Sequence, residues 1–93
     1  MLDADPNDPF LLYGLAQEHA KDGRHETALE FYDLCIVADA AYCYAYFHKA
    51  RSLEALGRDA EAVATLRTGA TAAKQAGDDH ALHEITAYLD TLT

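Results

Sequence analysis

The chain of 93 residues contains no tryptophan, one methionine, two cysteines, two prolines and three lysines. None of its apolar runs approaches the roughly 18 residues that span a bilayer, which excludes a membrane-spanning helix. Cys35 and Cys43 stand eight apart and match no metal or redox spacing, so a reducing cytoplasm is the expected compartment. The opening MLDADPNDPF has neither a basic residue nor an apolar segment, unlike a secretory signal. Positive charge is scarce. Seven Lys and Arg face sixteen Asp and Glu, and the net charge of -9 repels a phosphate backbone or an anionic leaflet. Neither nucleic acid nor a membrane surface is therefore expected as a partner. Asp outnumbers Glu ten to six, a balance that also suits hydration in high salt.

Catalytic signatures are missing as well. The one serine, Ser52, falls inside a predicted helix with no strained turn around it. There is no glycine-rich phosphate loop, and neither cysteine sits in a nucleophile motif. The chain is not expected to be an enzyme, and nothing in it implies a cofactor. Cys35 occupies a small-residue packing position and reads as a buried filler, whereas Cys43, near a helix start, is expected to be more exposed. His80, His83 and Glu84 lie within one turn, but the sequence identifies no further ligand, so no metal site is assigned.

What is present is a 51% hydrophobic chain, enough for one domain over residues 1–93. A chain this short buries about 60 to 65% of its unfolded surface, so one thin core is expected rather than two. The sequence repeats with a period of 34: Tyr13 falls on Phe47, Ala16 on Ala50, Gly23 on Gly57, Ala28 on Ala62, Tyr32 on Leu66 and Cys35 on Gly69. Two apolar stripes at helical spacing flank each glycine, Leu12, Leu15, Ala16 and His19 before Gly23, and Ala28, Leu29, Tyr32, Cys35 and Ile36 after it. Asp8 as a cap and Pro9 at the first helical position mark the first helix start. The pattern predicts helices over about 8–21, 24–38, 42–55 and 59–75, with no strand. Asp78 or Asp79 can cap a fifth helix over about 79–91, whose Leu82, Ile85, Leu89 and Leu92 share a face. Glu84 stands there where a repeat needs a small residue, so this segment reads as a cap on the stack.

Two helices per 34 residues, with small residues at the crossings and a bulky one ahead, resembles the tetratricopeptide repeat. The likeness rests on Leu12, Leu15, Ala16, His19, Gly23, Ala28, Tyr32 and Cys35, then on Tyr46, Ala50, Leu53, Gly57, Ala62, Leu66 and Gly69. It implies an all-α, right-handed array of antiparallel helix hairpins of about five helices. The repeats would span 9–42 and 43–76, with a capping helix over 78–92. Ala40 and Lys74 replace the usual closing proline, His19 replaces an aromatic and Lys49 a leucine. Met1 together with the cap is read as marking a whole small protein.

The resemblance further implies a concave face, lined by the first helix of each unit, that takes a protein or peptide partner. By helical phase that face carries Phe10, Tyr13, Gly14, Gln17 and Lys21, then Tyr44, Phe47, His48 and Arg51. The aromatics are expected as apolar anchors, His48 as a polar reader, and Lys21 and Arg51 as charges for an acidic group. At the positions of the family's carboxylate clamp stand Tyr13, Gln17, His48, Asp78 and Leu82. Asp78 would repel a carboxylate, so that mode is not expected. Because two repeats fall short of the three or so that make a secure stack, a homodimer without a peptide ligand is the alternative.

Overall fold

A computed structural model describes residues 7–93; residues 1–6, on which much of the reading of the chain's start rests, lie outside the described part. Five helices follow one another with no strand among the described residues: α1 Pro9–Lys21, α2 His25–Ala38, α3 Cys43–Ala55, α4 Asp59–Ala76 and α5 Asp79–Leu92. Each predicted boundary holds to within one residue. The local reasons are visible at the ends. The Asp8 carboxylate accepts from the Phe10 amide at 2.9 Å, with Pro9 beginning the helix. The Asp78 carboxylate accepts from the Ala81 amide at 3.0 Å and starts α5. After α1, α3 and α4 the same turn recurs, with Gly23, Gly57 and Gly77 at φ +80°, +75° and +69°. In each, the next amide reaches back to a carbonyl five residues earlier, as from Arg24 to His19 at 2.8 Å. The α2–α3 link has no glycine. There Asp39 is extended and its carboxylate accepts from the Ala41 amide at 3.0 Å, a side-chain turn in place of the missing proline.

Successive helices pack side by side, and α1 and α5 also each touch α3, giving a slab of 44 × 31 × 17 Å. The crossings are built on small residues. Ala16, Ala28, Ala50 and Ala62 are completely buried, and Tyr32 and Leu66 fill the equivalent gaps beyond them. A single thin core was the expectation, but two buried clusters form. One gathers Leu12, Ala16, Ala28, Tyr32, Cys35 and Ala45; the other includes Leu29, Cys43, Ala50, Leu53, Leu66 and Ile85. Each hairpin closes over its own crossing, and the clusters interlock because α2 lends Leu29 to the second and α3 lends Ala45 to the first. Cys43 is correspondingly buried at 5% exposure, against expectation, while Cys35 is buried as expected. Leu15 also departs from its predicted place in the buried stripe. It is 38% exposed because, among the described residues, α1 has only α2 and α3 as neighbouring helices.

The departures from the repeat pattern are absorbed locally. His19 stacks on Phe31 with ring centroids 5.3 Å apart and planes 4° apart, so the imidazole does the work of an aromatic. Lys49 Nζ pairs with Asp33 Oδ1 at 2.7 Å and ties α3 to α2.

Two glycines within helices make opposite predictions. A Cβ on Gly69 would stand 2.6 Å from the Tyr46 Cβ, an atom fixed to the α3 backbone, whereas one on Gly14 meets nothing within 4 Å. Gly14→Ala should raise stability by up to about 1 kcal/mol through helix propensity. Gly69→Ala should lower it by about 1–3 kcal/mol despite the same propensity gain. Urea unfolding of the two variants checks the sign of each. Tyrosine ionisation gives another test. Burial lifts the Tyr13 hydroxyl from 10.0 to about 12, with the nearby Tyr42 next in effect. Its contribution to stability is complete below pH 10 and is lost as pH rises through about 12. Near-ultraviolet absorbance should show phenolate forming later than in the denatured chain.

Candidate functional site

The 34-residue displacement sets Gln17 against Arg51 and Gly14 against His48, on the faces of α1 and α3 that point the same way. Between these helices lies a cavity of about 490 Å³. Gln17 and Lys21 line it from α1, His48 and Arg51 from α3, and His25 and Tyr32 from α2. Its polar groups are held in place. Tyr32 Oη donates to Gln17 Oε1 at 3.2 Å, and Gln17 Nε2 donates to Tyr13 Oη at 3.1 Å. His25 Nδ1 and Ser52 Oγ are hydrogen-bonded at 3.1 Å.

Charge is unevenly spent across the surface. Arg24, Lys49 and Arg58 are each paired with a carboxylate. Lys21, Arg51, Arg67 and Lys74 have no ion-pair partner within 4 Å among the described residues, and the first two of them line this cavity. Burial, reinforced by the Arg51 charge, holds the His48 imidazole below its ordinary value. It is therefore neutral at pH 7 and can both donate and accept a hydrogen bond.

A second cavity of about 450 Å³ opens on the other side of α3, against α5, lined by Phe47, Arg51, Glu54, His83, Glu84, Ala87, Tyr88 and Thr91. Arg51 lines both, so α3 forms a ridge between two troughs. Rings run across that ridge from α1 to α5. Tyr42 and Tyr13 lie 5.1 Å apart, Tyr13 and His48 5.7 Å, His48 and Phe47 5.1 Å, and Phe47 and Tyr88 5.2 Å.

No family model and no curated protein matches the chain. Solved structures do. A solution structure of a tetratricopeptide repeat domain protein from Salinibacter ruber is 31% identical, with a TM-score of 0.88, over 96% of this chain and 90% of that one. A crystal structure of a tetratricopeptide repeat domain protein from the same organism is 30% identical, with a TM-score of 0.83, over 91% and 96% of the two chains. The chain belongs to the tetratricopeptide repeat family. It is thus a helical repeat module, an architecture commonly used in protein-protein interaction, and no helix among its described residues is long and apolar enough to cross a membrane.

In this tetratricopeptide repeat protein the eight side chains expected on the binding face, where Gly14 contributes none, do not share one environment. Gln17, Lys21, Phe47, His48 and Arg51 line one cavity or both. Phe10 is 74% exposed and lines neither. Tyr13 and Tyr44 are half-buried and pack sideways, Tyr13 against Tyr32 and Tyr42, Tyr44 against Phe47 with its Oη donating to Glu84 at 2.9 Å. Asp78 caps α5 and Leu82 packs on the core, so neither lies in a trough.

Sequence reasoning gave Tyr32 to packing and weighed Ser52 only as a nucleophile, and it placed neither of these nor His25 at the site, nor the face of α5 that borders the second cavity. The α5 residues carry a signal of their own. His83, Ala87 and Thr91, with Glu84 and Tyr88, recur at spacings of four beside the apolar stripe. Reading α5 as a cap concealed that its other face continues the trough.

The His48 shift has a definite sign. The unfolded imidazole takes a proton near pH 6.5, and the folded one resists until lower pH. Its contribution to stability is therefore present above pH 6.5 and lost as pH falls through the folded value. Proton NMR should show His48 titrating below 6.5, and a bound carboxylate should move it upward.

Proposed function

We propose that the protein is a non-enzymatic adaptor that holds an extended peptide, with acidic and apolar side chains, on the face shared by α1 and α3. The observation that carries this reading is the placing of Lys21 and Arg51, both without a carboxylate partner among the described residues, around one cavity of a chain with net charge -9. Gln17 and His48 would read polar groups between those charges, and Phe47 would seat an apolar side chain. Phe10, Tyr13 and Tyr44 flank this surface as further anchors. The two repeats, 9–42 and 43–76, act with the closing helix 78–92 as a single unit. Lys21→Ala combined with Arg51→Ala should weaken an acidic peptide about ten-fold or more, as expected for interface anchors, with the far-UV helical signal unchanged. Added salt should weaken the wild type more than the variant. Equal affinity in both proteins would place the site elsewhere.

A second reading has its own observation. Leu11 and Leu15 of α1 and Leu34 of α2 are 38%, 38% and 50% exposed. They flank the seam marked by the His19–Phe31 stack, on the end of the array away from α5. Solenoid ends need a polar outer face, and two copies joined here would cover each other. Light scattering over a range of concentrations decides it, since a monomer throughout removes the homodimer.

A further inference from the structure

We propose that the α3/α5 cavity is a second subsite of the same groove and takes a Lys or Arg side chain of the bound peptide. The inference rests on the peptide reading above and specifies the partner as one carrying opposite charges a fixed distance apart. The chemistry of the cavity supports it. Phe47 and Tyr88 form an aromatic floor, and Glu54 and Glu84 flank it. Tyr88 Oη donates to Glu54 Oε1, and Tyr44 Oη donates to Glu84 Oε1. These bonds orient both carboxylates, His80 Nε2 stands 3.6 Å from the same Glu84 Oε1, and the second oxygen of each carboxylate has no protein donor among the described residues. Oriented carboxylates beside ring faces suit a cation on an apolar stem, which can lay its methylenes on the rings and its head on the acids.

The two cavities are thus complementary in sign. Lys21 and Arg51 dominate the first over Glu18, and Glu54 and Glu84 outnumber Arg51 in the second. Arg51 stands between them, close enough for its charge to act on both Tyr32 and Tyr88. An acidic side chain over Lys21 and Arg51 neutralises the arginine that opposes a base in the second cavity. Packed helices lie about 8–10 Å apart, and an extended chain advances about 3.3 Å per residue, so acid and base should be about three residues apart.

The test is selection from a displayed library of random peptides of roughly eight residues, long enough to cross both cavities at about 3.3 Å per residue. The wild type should enrich sequences with Lys or Arg three positions from Asp or Glu by about ten-fold over other spacings, equivalent to about 1.4 kcal/mol. Glu54→Gln with Glu84→Gln keeps an acceptor for each tyrosine, and circular dichroism confirms the fold. This variant should lose the preference for a base and keep the preference for an acid. Enrichment of acidic peptides without a base overturns the second subsite and leaves the adaptor reading standing. A base preference that survives the double substitution overturns it as well. No enrichment by the wild type overturns both.

Discussion

Close approach of helix backbones at small residues is the constraint on which everything else depends. At Gly69 the α4 backbone comes so near the Tyr46 Cβ that even a methyl group has no room, and Ala16, Ala28, Ala50 and Ala62 admit no solvent. Such contacts fix the height and angle of one helix on the next, since a packed interior does not yield to an added methylene. They set α3 between α1 and α5. The troughs on either side of α3 are what remains on the surface once those crossings are closed.

The troughs acquire their character from residues that the packing leaves over. Tyr32 is buried by the crossing of α1 and α2, yet its hydroxyl reaches Gln17 and orients it toward the first cavity. Tyr88 and Tyr44 do the same for the carboxylates of the second. Core and trough walls are therefore one hydrogen-bonded system, in which apolar ring bodies are buried and their polar tips position the groups at the surface. Arg51, on the ridge, lines both troughs, and its charge reaches Tyr32 on one side and Tyr88 on the other.

The fold tolerates departures from its repeat where a neighbour supplies the missing property. His19 offers a flat ring to Phe31, Lys49 finds Asp33, and Asp39 makes with its side chain the turn that a proline would impose. The same economy explains two buried clusters instead of one. A stack of hairpins buries each crossing in turn, and Leu29 and Ala45 are the buried residues by which α2 and α3 enter the other hairpin's cluster. The end formed by α1 and α2 has no further helix against it among the described residues, and there Leu11, Leu15 and Leu34 stay in contact with solvent.

The sequence alone determined the helices, their ends and the family resemblance, because these follow from periodicity, from Asp8, Pro9 and Asp78 as start signals, and from small residues repeating every 34 positions. These are local or translational properties, legible along a single chain. Helical phase, also local, brought Gln17, Lys21, His48 and Arg51 to one cavity, whereas Phe47 fell across the ridge in the other. Tertiary structure alone decided that Tyr13 and Tyr44 turn into packing, that Cys43 is buried, and that His25, Ser52 and one face of α5 border the cavities. Those outcomes depend on which helices meet across the fold and how closely, and a side chain with two neighbours to choose from is settled only when both are in place.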